Sequence, residues 1–201
     1  MSVQLVIDWD GTVTETDTLH LVIERFGDLR VFHALEAEIG RRLTLHEVIA
    51  CEMETITAPL EEVVGWLLEN ARIRPGFAEL VDRYDPLIVS AGFHELIEPV
   101  LAREGVHARV VANHVVADPA GWRAAFTAAA PCAVCGEPCK RVSVAGIGPF
   151  AYVGDGISDR CVSLAADRVF ARAGLARWLD GRGAPYEPFG DLHDVVGALR
   201  D

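Results

Sequence analysis

Three short apolar runs along this chain end on turns that carry acidic or hydroxyl groups. Residues 3–7 run into Asp8-Trp9-Asp10-Gly11-Thr12, Leu87-Ile88-Val89 stops at Ser90, and residues 150–153 run into Gly154-Asp155-Gly156-Ile157-Ser158-Asp159. Such runs are the pattern of strands buried on both faces, as in parallel sheets. Helical stretches separate them: one opened by Pro75 and running to Tyr84, then 93–103, one near 140, 158–166 and two closing helices, with further strands at 107–112 and 168–171. Repeated strand-helix units predict an α/β fold built on a doubly wound, mostly parallel sheet. Apolar runs on either side of Asp118-Pro119-Ala120-Gly121 predict a hairpin attached to it.

One segment breaks the alternation. From Asp17 to about Ala71 the apolar residues follow helical spacing, as in Leu19, Val22, Ile23 and Phe26, and no strand intervenes. Gly27 can end the first helix, Thr44 and Glu47 form a capping box, and Pro59 with Glu61 and Glu62 marks another start. About four consecutive helices predict an inserted bundle at 16–71, a cap on a core made of 1–15 and 72–201.

A chain of 201 residues buries roughly 70% of its unfolded surface, enough for one core and a small appendage. No uncharged apolar run approaches the ~18 residues of a membrane span, so no membrane partner is expected. A net charge of -12 without any basic cluster argues against nucleic acid, whose phosphates are held by grouped cations. The first residues show no basic stretch of a secretory signal, and five cysteines, an odd number with three crowded together, suit a reducing cytoplasm better than a disulfide framework.

In an open parallel sheet, ligands bind at the carboxyl ends of the strands. Asp8, Asp10, Ser90 and Asp155 all fall at such ends, and clustered carboxylates need a cation to offset their repulsion and desolvation. Asp8 and Asp10, two apart, would share a side in extended geometry. With Asp155 they form a candidate metal set, and an oxygen set of Asp8, Asp155 and a backbone carbonyl suits Mg2+ retaining several waters. Gly11 stands too early, and after a strand, for a calcium-binding helix-loop-helix.

The order Asp-x-Asp-Gly-Thr, Ser90, Lys140 and Gly-Asp-Gly-x-x-Asp, spread over nearly the whole chain, resembles the haloacid dehalogenase superfamily of phosphohydrolases. The helical insertion after the first motif resembles the cap of its phosphoserine phosphatase-like subgroup; Trp9 departs from the usual Phe. The resemblance implies that Asp8 is the nucleophile, that Asp10 is the acid and base, and that Lys140, Ser90 and Mg2+ offset phosphoryl charge. It further implies that Thr12, Ala91 and Gly92 line the phosphate loop and that Asp159 supports Lys140 or a metal-bound water. Asp17 is either a plain helix cap or the residue that reads the substrate. The substrate implied is a small phosphorylated metabolite. Residues 71–77, Ser90-Ala91-Gly92, Asn113-His114 and the cysteines before Lys140 resemble phosphatases of the methionine-salvage enol phosphate, with phosphoserine and phosphoethanolamine or phosphocholine phosphatases as alternatives. A dehalogenase, a phospho-accepting signalling module and an inactive binding protein are the rival classes; the first needs no metal, and the second lacks a helical cap.

Cys132, Cys135 and Cys139 could hold zinc, with His114 as a candidate fourth ligand, or be free thiols on a structured loop. Cys51 and Cys161, in apolar helical contexts, are expected in the core. Oligomeric state has no signature in the sequence.

Overall fold

A computed structural model describes residues 3–127 and 130–200; residues 1–2 and 201, the outer ends of the expected core segments, lie outside that description. Strands β1 (Gln4–Ile7), β2 (Leu87–Phe93), β3 (Arg109–Val116), β4 (Arg123–Ala125), β5 (Phe150–Gly154), β6 (Arg168–Ala171) and β7 (Glu187–Pro188) form one sheet in the order β4-β3-β2-β1-β5-β6-β7. Every neighbouring pair is parallel except β3 and β4, the expected hairpin, in which Val116 faces Arg123.

Both faces of the sheet are covered, which is why its strands read as unbroken apolar runs. Along β1, Leu5 and Ile7 join one core with Ile88, Ala151 and Val153, while Val6 joins the opposite one with Leu87, Val89, Phe150 and Tyr152. Helices α5 (Phe77–Tyr84), α6 (His94–Arg103) and α10 (Leu192–Ala198) pack in the first layer, and α7 (Lys140–Ser143) and α8 (Arg160–Ser163) belong to the second. Helix α9 (Ala173–Asp180) packs on β6 through Leu175 and Leu179.

Between β1 and β2 lie α1 (Thr18–Phe26), α2 (Leu29–Glu36), α3 (Leu45–Met53) and α4 (Leu60–Asn70). Gly27 caps α1, the Thr44/Glu47 box opens α3 and Pro59 precedes α4. Val22, Ile23, Ile49, Met53, Ile56, Val63 and Leu67 share the larger core with Trp9 and Trp122. The β3–β4 hairpin is tied to this helical segment. The Trp122 indole N–H donates to the Ala58 carbonyl (2.9 Å) and its backbone N–H to Met53 and Ile56 carbonyls (3.1 and 3.0 Å). Gly121, at φ 131, comes so close to the Glu54 carbonyl that a Cβ there would lie 2.5 Å from it.

Several expectations fail locally. Pro75 does not open α5: Gly76 takes a left-handed conformation at its cap, and the Pro75 carbonyl accepts from Leu192 N–H (2.9 Å). Strand β2 continues past Ser90 to Phe93, the helix expected at 158–166 shrinks to α8, and β7 had no periodic signal in two residues. Cys51 is exposed rather than in the core, because α3 turns its Val48, Ile49, Glu52 and Met53 side inward.

Candidate active site

Strands β1 and β5 are parallel neighbours with Ile7 paired to Val153, so the residues just past each strand end stand side by side. Asp8 and Asp155 meet there, and Asp159 joins them from the turn before α8: one carboxylate oxygen from each lies within 4.8 Å of the others. Lys140, the chain's only lysine, reaches in from α7 with its ammonium 2.5 Å from Asp8 Oδ1 and 2.7 Å from Asp159 Oδ1. Asp8, Lys140 and Asp159 are buried, exposed by 3%, 5% and 0%, and Asp155 is half-buried beside them.

Asp159 is surrounded by donors. Lys140 and the Tyr152 hydroxyl (2.6 Å) donate to Oδ1, and the N–H groups of Asp155 and Gly156 (both 2.8 Å) donate to Oδ2. Burial alone would push its carboxyl up, but Lys140 and these donors outweigh that and hold it below the usual range. Gly154 leaves no room for more, since a Cβ there would sit 2.7 Å from the Asp159 carboxyl. Asp159 is therefore a fixed anion that orients both Lys140 and the Asp155 turn. Lys140 is in turn held charged by Asp159 and Asp8 despite its burial.

Asp8 differs. Its Oδ1 accepts from Trp9 N–H (2.6 Å) and Lys140, which leaves Oδ2 as the oxygen able to meet a reactant. Burial first, and the Asp159 charge second, raise its pKa well above normal, an electrostatic excess that only partly cancels against Lys140. Asp155 is likewise pushed up to about 6 by burial and Asp159, with the Thr12 hydroxyl donating to it (3.0 Å).

Asp10 does not join these carboxylates. The chain leaves β1 after Ile7 and bends through a wide, irregular turn at Trp9–Val13, closed by Thr14 N–H on the Trp9 carbonyl (3.0 Å), with Asp10 at φ -68, ψ 126 and Gly11 at φ 71. The extended spacing that would have put Asp8 and Asp10 on one side is lost. Asp10 Oδ1 instead accepts from the Thr18 N–H (2.9 Å) and hydroxyl, at the start of α1, and Oδ2 lies 3.5 Å from the Ser90 hydroxyl. Burial, with the Asp17 charge behind it, moves its pKa to about 7. The Ser90 oxygen also accepts from Gly92 N–H (2.9 Å), and a Cβ at Gly92 would stand 3.0 Å from Asp10 Oδ2.

The loop itself is clamped by a residue that sequence spacing did not single out as functional. Buried Arg74 donates to the carbonyls of Thr12 (2.8 Å), Gly11 (2.8 Å) and Thr14 (3.1 Å), and Arg172 donates to Gly11 O (2.9 Å). Local periodicity carries no signal for such contacts.

Asp8, Asp10, Asp17, Ala91, Gly92 and Asp155 line one cavity of about 300 Å³, roofed by Leu19, His20, Ile23, Phe32, Glu36, Leu45, Ile49 and Glu52. Asp17 caps α1, accepting from His20 N–H (2.9 Å), and lines this cavity as well. Glu52 was not foreseen. Its Oε1 is buried with no partner among the described residues, and burial, then Glu36 and Asp17, push its pKa to about 8. The folded protein thus keeps a proton there between about pH 4.5 and 8 that the unfolded chain has released, so stability falls as pH rises through that window. Glu52→Gln should remove this slope, gaining on the order of 2–4 kcal/mol over wild type on going from pH 5 to pH 8. Urea unfolding of both proteins at the two pH values is the check, and parallel pH dependence would refute it.

The cysteines converge differently from expectation. His114 is engaged with Glu95 (2.8 Å) and stacked on His94, away from the thiols. The fourth group is Cys161, carried in by α8, and Cys132, Cys135, Cys139 and Cys161 place their sulfurs within 4.8 Å of one another.

The comparisons with known proteins agree with this architecture. The family model described as haloacid dehalogenase-like hydrolase matches residues 5–163. Proteins named 2-hydroxy-3-keto-5-methylthiopentenyl-1-phosphate phosphatase from Brevibacillus brevis and Geobacillus kaustophilus are 28% and 30% identical, each over 100% of this chain and 97% of the relative. A phospho-aspartyl intermediate analogue of phosphoserine phosphatase superposes with a TM-score of 0.73 at 17% identity, covering 98% of this chain and 99% of that one. The phosphoserine phosphatase of T. onnurineus gives 0.74 at 18%, covering 100% and 96%. With the match spanning most of the chain and the acidic turns meeting at the expected sheet edge, this protein belongs to the haloacid dehalogenase-like hydrolase family.

Proposed function

We propose that this chain is a magnesium-dependent phosphatase that hydrolyses a small phosphorylated metabolite through an aspartyl phosphate on Asp8, with residues 16–71 acting as the cap. The observation that carries this is the convergence of Asp8, Asp155 and Asp159 beside one buried ammonium. Three carboxylates against one lysine leave an uncompensated charge in a largely buried site, and a hard all-oxygen donor set suits Mg2+. Asp8, Asp155 and a backbone carbonyl of the Asp8–Asp10 turn would hold the ion, which supplies positive charge against the phosphoryl oxygens.

The chain's own groups account for the rest. Asp8 Oδ2 forms a bond to phosphorus as the ester oxygen leaves, and protonated Asp10 gives that oxygen its proton. Ionised Asp10 then takes a proton from the water that attacks the phosphoaspartate, which releases phosphate and restores Asp8. A group poised near neutrality suits both halves. Lys140, fixed by Asp159, and the Ser90 hydroxyl stabilise charge on the transferring group.

The cavity bears on the substrate. Among the described residues, its lining contains no lysine or arginine, whereas Leu19, Ile23, Phe32, Leu45 and Ile49 offer an apolar wall. A phosphoserine carboxylate would face the Asp17 and Glu36 carboxylates with no lysine or arginine to receive it, and protonated Glu52 offers it no positive charge. The enol phosphate named for the relatives, with an apolar thioether tail and no carboxylate, fits better. Asp17 and Glu36 support a second reading, a cationic phosphoethanolamine or phosphocholine. Steady-state turnover of all four esters decides. Phosphoserine should be slower in kcat/KM than the best substrate by at least ~100-fold, and chelating Mg2+ should abolish hydrolysis of every ester. Metal-independent turnover, or phosphoserine as the best substrate, would overturn the respective part.

A further inference from the structure

Outside the acidic site, the densest group of metal-ligating side chains among the described residues is the thiol cluster. Two separate segments build it. Cys132 and Cys135 flank a tight turn in which Gly136 N–H bonds the Cys132 carbonyl (2.8 Å), Cys132 N–H bonds the Glu137 carbonyl (3.0 Å) and Gly136 sits at φ 78. The turn aims the Val134 N–H at Cys132 Sγ (3.4 Å), a backbone dipole that favours a thiolate. Cys139 follows on the same loop, and α8 delivers Cys161.

The spacings between sulfurs decide what the cluster can be. Cys135 and Cys139 are 3.5 Å apart, Cys132 and Cys161 3.9 Å, and all four fall within 4.8 Å. These separations are well beyond an S–S bond of about 2.05 Å, and all five cysteines are free. They match the edge of a tetrahedron around an ion with metal–sulfur bonds of about 2.3 Å, whose sulfurs stand about 3.8 Å apart. Arg141 and Arg160 flank the cluster in sequence, with Arg141 Nη1 3.4 Å from the Cys161 carbonyl, and offset the negative charge of four thiolates on a divalent ion.

We infer that Cys132, Cys135, Cys139 and Cys161 form a closed, four-thiolate structural zinc site that fastens the loop carrying Lys140 to the turn carrying Asp159. Cys139 directly precedes Lys140 and Cys161 lies just after Asp159, so the ion links the two sides of the buried 2.7 Å ion pair. A set of four sulfurs has no open position for a substrate, which makes the role one of positioning. The proposal is independent of the phosphatase reading, because its readouts need no substrate.

The test uses the full chain, purified from zinc-supplemented cells under reducing conditions. Metal analysis should find one zinc per chain that survives a chelator treatment removing Mg2+. Replacing it with cobalt should give the intense ligand-field absorption of a tetrahedral tetrathiolate. Cys161→Ser should lower retained zinc at least tenfold and weaken the cobalt bands, while Cys51→Ser, at an exposed position outside the cluster, should match wild type. If Cys161→Ser does not fold, the wild-type metal content and cobalt spectrum decide alone. Absence of bound zinc in wild type together with no cobalt-thiolate absorption, iron in its place, or unchanged zinc in Cys161→Ser would overturn the inference.

Discussion

Asp8→Asn should produce a folded protein whose turnover of any phosphate ester is lower by roughly 10,000-fold or more. The substitution is nearly isosteric, and the Trp9 N–H on Oδ1 can be kept by an amide carbonyl. Under the proposed mechanism it removes the group that bonds phosphorus, since among the other described carboxylates of the site Asp159 is saturated with donors, Asp155 is held by Thr12, and Asp10 is turned toward Thr18 and Ser90. Stability should not fall with activity. Asp8 is a costly anion, raised by burial and Asp159, so a neutral side chain relieves repulsion when no divalent ion is present. The measurement is kcat alongside thermal unfolding in chelator. Wild-type turnover in Asp8→Asn would dispose of the covalent mechanism, whereas a variant that fails to fold would point to a mainly structural role for the residue.

Lys140 carries the second large effect. The chain meets its other basic needs with arginine and keeps one lysine here, at a site where a compact ammonium fits between Asp8 and Asp159 at 2.5 and 2.7 Å. A planar guanidinium is larger and needs a different donor geometry. Lys140→Arg is therefore expected to lower kcat by on the order of 100-fold or more. Lys140→Met removes the charge as well, leaving Asp8 and Asp159 buried without their cation, and should destabilise the fold by about 3–5 kcal/mol in addition to losing activity. Urea unfolding with and without Mg2+ separates the two contributions, since an added divalent ion should recover part of the stability but not the rate. An arginine variant with wild-type kcat would show that charge alone suffices at this position.

Much of this was legible in the linear chain. Unbroken apolar runs disclosed strands covered on both faces, and the Thr44/Glu47 box and Pro59 marked helix starts that the structure contains. The acidic turns pointed to a candidate site because a strand's end is a local feature and, in a parallel sheet, all such ends lie on one edge. Errors arose where neighbours in space outweighed neighbours in sequence. Asp10 left its expected side once the turn after β1 coiled, and Pro75 yielded helix α5 to Gly76 under contact with α10.

Local patterning, then, was enough to establish most of the strands and helices, though not their exact ends, and which acidic turns follow the strands, because propensity, periodicity and capping act over a few positions. Which groups meet was decided by the strand order, which seats β5 beside β1 and carries α7 and α8 to the same layer. That arrangement brings Asp159 to Asp8 and Lys140, Cys161 to the other thiols, and Glu52 over the cavity. Their partners lie tens of residues away along the chain, a distance over which hydrophobic period has no memory and only the packing of the sheet and its helices selects the pairing.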